Sequence, residues 1–359
     1  MGDYPWFKGQ ESLVAVAVMG MAALWGASDP LACAVLVLAL PLAASMVGPW
    51  TGLMVPLLGM LLPEAALLVH RAPLGMLAGA LGYGVLVSAP AMVAFAWRWN
   101  FWKALLTQWM GMLAAGVCLA LGLRALVGTN LFAGSAKVFM DYLLAQPNSD
   151  QLLLQLAQAG VAGVTKEMAA QQDLTTMVMQ LFSNRVVLLP QVREELAATA
   201  LTTMEGLLYL KGPEWLVNLV VGGGLAVLCV PIGHMRRHAL DTLAMPAFTT
   251  WHLPRGMGRG SLILLAGFAL RYLGPGMVEV YLGIMLVSAF QWIYMIQGAA
   301  LWEYTQKKMG RSQAARRGFI AAAGLLFPMV LVALGLIDQV RDPRGLRPKD
   351  DNEEEDIDL

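Results

Sequence analysis

Nine apolar runs, most of them close to the length needed to cross a bilayer, dominate this chain and restrict what it can fold into. They cover 12–28, 31–48, 52–69, 73–97, 104–125, 214–233, 260–274, 277–301 and 318–337. A helix needs about 20 apolar residues to cross a hydrocarbon core of roughly 30 Å, and within that core each backbone polar group must be satisfied inside the segment. The runs therefore predict an all-α polytopic transmembrane bundle of about eight or nine spans. Composition agrees, with 58% of residues hydrophobic, 13% charged and a mean hydropathy of +0.62. Soluble domains carry about 25% charged residues, so this chain lacks the polar surface to cover a water-soluble globule. The first run follows Lys8 as a signal peptide would, but "LACAVLVLAL" resumes almost at once and the run reads as a retained helix.

Four regions follow from the spacing. Residues 1–127 form an N-terminal bundle of about five spans, and 214–337 a C-terminal bundle of about four. Residues 128–213 form an amphipathic helical segment between spans five and six, expected outside the cytoplasm. Residues 338–359 form a disordered acidic tail ending in "DDNEEEDIDL". In the intervening segment Ser149 or Asp150 is placed to cap a helix, with Leu152, Leu153, Leu156 and Ala159 on one face. Arg193, Glu194 and Glu195 are adjacent, which is too costly at membrane depth and predicts a helix lying on or outside the membrane.

Lys and Arg in short loops set the orientation. With the N-terminus inside, Lys8, Arg98, Lys103, Arg236, Arg237, Arg255, Arg259, Lys307, Lys308, Arg311, Arg316 and Arg317 all reach the cytoplasm. Arg236, Arg237, Lys307, Lys308, Arg316 and Arg317 are then candidate contacts for a partner protein or for anionic lipid headgroups. No basic stripe interleaves with aromatics outside the apolar runs, so nucleic acid is not expected as a partner. The bilayer is.

Pro41, Pro56, Pro63 and Pro90 interrupt the second to fourth spans, either as packing kinks or as the broken helices of a binding site. Gly75, Gly79, Gly82 and Gly84, and the run Gly222–Gly224, are expected to bring helices into close contact, or in the second case to unwind around a ligand.

Charges inside spans default to functional candidates. Glu64, following Pro63, is either a cap on a half-helix near the interface or a ligand or proton site at a helix break. Arg271 and Glu279 bracket the Gly274–Pro275–Gly276 turn and are expected to pair across it. His234, His238 and Asp241 share a helical face, but Arg236 and Arg237 between them repel a cation, so no metal is expected. The cysteines Cys33, Cys118 and Cys229 each lie in an apolar run without a CxxC partner and read as packing residues. No nucleophile elbow, phosphate loop or paired-carboxylate motif occurs, so neither enzymatic activity nor a cofactor is expected.

The C-terminal half carries a more specific pattern. "FTTWHLP", a span, a short turn, a span ending "IQGAALWEYTQKK" and a last span together resemble the YybS-like family of bacterial polytopic membrane proteins. The landmarks are Phe248, Trp251, Leu253 and Pro254, then Gln297, Gly298, Tyr304, Lys307 and Lys308. "VVLLP" at 186–190 is similar to a further family feature, although the charged "QVREEL" then stands where the family enters a span. The resemblance covers about 150–337 and implies a multi-pass protein of the bacterial inner membrane. Its hydropathy is similar to that of the substrate-binding components of energy-coupling-factor transporters, and also to the cell-shape scaffold MreD. This implies a component that binds an unknown small molecule and depends on a separate energising partner. The alternative is a non-catalytic scaffold for envelope proteins. Within the stretch, Trp251 is expected in the interfacial aromatic belt, and Pro254 in the first turn of a helix.

Overall fold

The computed structural model describes residues 9–128, 131–161, 188, 190–238, 240, 242–252 and 260–346. Among these residues the regular structure is helical throughout, with no strand. The nine apolar runs all fall on helices. They are α1 (Gly9–Ser28), α2 (Pro30–Thr51), α3 (Met54–Val69), α4 (Leu74–Ala96) and α5 (Phe101–Val127), then α6 (Leu131–Leu144) and α7 (Ser149–Gln158). After these come α8 (Pro190–Asn218), a π-helical turn (Leu219–Gly223), α9 (Gly224–Arg237), a 3-10 turn (Phe248–Thr250), α10 (Gly260–Leu273), α11 (Met277–Lys308), α12 (Gln313–Leu326) and α13 (Pro328–Arg341).

The protein is a multi-pass membrane protein by the length and composition of these helices. Six are long and apolar enough to cross, or seven if the pair α12 and α13, bent by 112°, is one broken span. That is fewer than the eight or nine expected. The helices α3 and α10 are apolar but short, and the last run splits at Phe327 because Pro328 begins a new helix. Across the boundary expected at 213, α8, the π turn and α9 run on as one helix of 48 residues. The region expected as a tail from 338 begins inside α13, where Asp338 and Gln339 are buried together with Arg344 beyond the helix. Residues 162–187, the 253–259 stretch with Leu253, Pro254, Arg255 and Arg259, Asp241, and 347–359 lie outside the described residues.

The chain divides into two compact units, 1–92 with 110–216 and 93–109 with 217–359. In the first, α1, α2 and α3 pack together around Met19, Leu36, Leu40, Ala44 and Val55. Their connection is set by Asp29, whose Oδ1 accepts from the Leu31 N–H at 2.7 Å while Pro30 occupies the first turn. None of the helices is broken at these prolines. Helices α2, α3 and α4 run through Pro41, Pro63 and Pro90, and Pro56 lies in the first turn of α3. A proline inside a helix costs about 3 kcal/mol locally. Here Pro41 and Pro63 are themselves buried, so packing of the same helices offsets that cost. A buried pair of hydroxyls, Ser45 and Ser88 at 2.8 Å, supplements it. Glycines act as the spacing suggests: a Cβ on Gly79 would meet the Cα of Gly122 at 2.5 Å, so α4 and α5 cross at backbone contact.

The intervening segment has its own core of Met140, Leu143, Leu153, Leu154, Leu188, Val192, Leu196 and Ala200, drawn from α6, α7, α8 and the residue Leu188 ahead of α8. Within "QVREEL", Val192 and Leu196 enter this core, Glu194 and Glu195 are exposed, and Arg193 is paired. Arg193 bridges Asp150 at 3.2 Å and donates to the Ser149 hydroxyl at 3.1 Å. Neither Ser149 nor Asp150 caps α7; the cap position is Asn148, without a side-chain bond. Asp150 instead accepts from the Leu188 N–H at 3.0 Å, a non-local partner.

Asp29 also ties this segment to the membrane helices, since the Tyr142 hydroxyl donates to its Oδ1 at 3.0 Å. The Leu31 N–H, with the Tyr142 hydroxyl and His70, holds the Asp29 carboxyl below its ordinary range, and Asp29 in turn raises the Tyr142 phenol. Because the folded pKa is the lower one, this contribution is complete above the unfolded value of about 3.9 and is lost as pH falls through the folded value. Asp29→Asn should therefore flatten the acid limb of a thermal-midpoint profile taken in detergent between about pH 6 and pH 3. It should also bring the Tyr142 phenol down towards about 10, read as the difference titration against Tyr142→Phe. Unchanged curves in both would refute the coupling.

Candidate functional site

The second unit contains a cavity of about 520 Å³ with an apolar lining. Its size falls within the roughly 300–1,000 Å³ usual for small-molecule sites. Each wall has a local cause. On one side α9 offers Leu225 and Cys229, just after the π turn. That wide turn, a feature often found at functional sites, is held by Asn218, which accepts from the Trp292 indole N–H at 2.7 Å. Trp292 itself lines the cavity from α11, next to Met295, Ile296 and Ala299. The bent pair closes another side with Ile320, Ala321 and Gly324 of α12 and Leu331 of α13.

Phe248 and Trp251 form the remaining wall. The sequence places Trp251 in an interfacial belt, but it is only 6% exposed. Its ring packs on Phe101, Trp102 and Phe248, each with centroids 5.2 Å away, and its indole N–H reaches the Pro246 carbonyl at 3.3 Å. An aromatic whose polar edge finds an internal partner has no need of the wet interface. Trp97 and Trp102, by contrast, are among the exposed aromatics.

Behind this wall lies a buried polar network that sequence reasoning found only at one end. Gln297 donates to Asp338 Oδ2 at 2.8 Å and to Gln339 Oε1 at 3.3 Å. Asp338 receives both Nε and Nη2 of Arg344, the first at 2.9 Å, in a bidentate pair. The Arg344 side chain is 0% exposed and that of Asp338 1%. Arg344 Nη1 then donates to the Thr249 carbonyl at 2.8 Å, so the network holds the turn that carries Phe248 and Trp251. Gly298 has a separate task. A Cβ there would strike the Leu331 carbonyl, and one on Gly335 would strike the Tyr294 carbonyl, so α11 and α13 cross in mutual backbone contact.

The other candidates stand apart from the cavity. Glu64 belongs to the first unit, in a continuous α3 rather than at a helix break, and its Oε1 is buried without a hydrogen-bond partner. Arg271 and Glu279 do not pair. The guanidinium of Arg271 lies over the Tyr272 ring at 5.3 Å, and Glu279 occupies the first turn of α11, where the helix dipole favours a carboxylate. His234 and His238 are ring neighbours at 4.5 Å, but no group of metal-ligand residues forms among the described residues. Arg236 donates to the carbonyl of the lining residue Met245 at 2.9 Å. Of the remaining basic candidates, Arg316 pairs with Glu303 at 2.9 Å, Lys307 and Lys308 end α11, Arg237 ends α9, and Arg317 is exposed on α12. Pro254 lies outside the described residues. No family model, curated protein or solved structure matches this chain.

Proposed function

We propose that this membrane protein binds an apolar small molecule or chain in the cavity of its second unit, acting as a binding component. The observation that carries the reading is the cavity itself, with Leu225, Cys229, Trp292, Ile320 and Ala321 among its walls and almost no polar lining. Such a lining suits a hydrocarbon guest and disfavours a polar metabolite, whose hydrogen bonds would go unmet there. The resemblance to YybS-like proteins, through Phe248, Trp251, Gln297 and Gly298, supports a bacterial inner-membrane setting. With no phosphate-loop motif in the sequence, any active transport would draw on a separate energising partner.

A side chain grown from Gly324 enters open space, since its Cβ would meet nothing nearer than Leu331 Cδ1 at 4.0 Å. Gly324→Phe should therefore fill the cavity without displacing the helices. Native mass spectrometry of the gently purified protein should show a retained apolar molecule in the parent and its loss in Gly324→Phe. Equal retention by both would defeat the reading.

A further inference from the structure

The cavity-lining face of α12 does not end with apolar residues. Ile320, Ala321 and Gly324 line the cavity, and Arg317 stands three, four and seven positions before them. Those spacings put all four on one helical face. The neighbouring Arg316 is committed to Glu303 and to the Arg311 carbonyl at 2.6 Å. Arg317 is exposed and has no hydrogen bond or ion pair among the described residues. It is thus a free guanidinium, about two turns of helix or roughly 10 Å along the axis from Gly324. Lys307, Lys308 and Arg311 precede it in the chain, but none of them lines the cavity.

We infer that the occupant is an anionic phospholipid, with an acyl chain between α9, α11 and α12 and its headgroup phosphate on Arg317. The inference rests on the cavity reading above and adds the class of ligand. A hydrocarbon chain fits the lining, and a guanidinium at the rim supplies a partner for a phosphate, which Arg recognises in bidentate fashion. A neutral apolar molecule would leave the placement of Arg317 unexplained. A free anion would leave the cavity unexplained.

The test is competition between phosphatidylglycerol and phosphatidylcholine of identical chains, read by native mass spectrometry of the full-length protein in detergent. The parent should prefer phosphatidylglycerol by about fivefold, the effect of one basic residue near a membrane surface. Arg317→Gln should bring the ratio to about one with total lipid retained, while Arg317→Lys should keep most of the preference. Lys308→Gln, away from the cavity face, should leave the ratio unchanged. Gly324→Phe and Ala321→Trp should remove both lipids. An unchanged ratio in Arg317→Gln, with both lipids still displaced by Gly324→Phe, would overturn the headgroup assignment and leave the cavity reading standing. An equal loss in Lys308→Gln would likewise overturn it, in favour of diffuse charge. Lipid retained in both filled variants would overturn the cavity reading itself, and thermal midpoints within a few degrees of the parent would show that the variants are folded.

Discussion

Gly298→Ala is expected to destabilise the second unit by about 2–3 kcal/mol, towards the upper end of the range for overpacking. The added methyl points at the Leu331 carbonyl, and a backbone atom cannot move aside by changing rotamer. The helices α11 and α13 must separate along their length, and with them go the contacts around Ala299, Ala323 and Leu331. Gly335→Ala should do the same from the other side, because its methyl meets the Tyr294 carbonyl. A methyl added at Gly318, on α12, would meet nothing within 4 Å, and Gly318→Ala should be neutral or stabilising by about 0.5–1 kcal/mol from helix propensity. Thermal unfolding in detergent, followed by tryptophan fluorescence, separates the cases. If Gly298→Ala and Gly318→Ala melt alike, the close crossing is not what holds these helices.

Removing one partner of the Asp338–Arg344 pair should cost about 3–5 kcal/mol, since the survivor is left as an uncompensated buried charge. Neither side chain is more than 1% exposed, so water cannot take the place of the missing group. Arg344→Met also deprives the Thr249 carbonyl of its donor, so loss of the ligand proposed to bind against the Phe248–Trp251 wall should accompany the loss of stability. The double variant Asp338→Leu with Arg344→Met should recover much of the stability, because apolar replacement of a buried pair is often neutral or favourable. It should not recover ligand retention, because Thr249 stays unbound. Recovery of both would show that the network does not position the wall.

Much of the helical architecture was legible in the sequence because it depends on local quantities. Length, apolarity and proline or glycine content place α1 to α5, and the start of α11, within a few residues of their observed ends. What was not legible depended on partners far along the chain. Pro41, Pro63 and Pro90 look like breaks until the helices that bury them are known. Gln297 is a motif position in the sequence, but its meaning lies in Asp338, 41 residues on, and in Arg344, which sits in what reads as an acidic tail. Trp251 follows the same logic: its surroundings of Phe101 and Trp102 come from a segment about 150 residues earlier, so an interfacial reading was the natural local one. Glu64, Arg271 and Glu279 stood out because charge in a span is conspicuous. Arg317 was visible only as one of a basic cluster, and the face it shares with the cavity lining required the cavity.

The length of α11 bears on the depth of these groups in a bilayer. Its 32 residues extend about 48 Å, whereas the hydrocarbon core is roughly 30 Å thick. With the turn before Met277 at one boundary, about 20 residues traverse the core and the opposite boundary falls near Gln297. Beyond it come Glu303, Gln306, Lys307 and Lys308, the part of the helix that water and headgroups can accept. The Gln297–Asp338–Arg344 network then lies at the level of the ester groups rather than at the bilayer centre, where an ion pair would be far costlier. Trp292, Met295 and Ala299 straddle the same level. On that placement the cavity would lie beside a single leaflet, and the proposed lipid could reach it tail first without leaving its own monolayer.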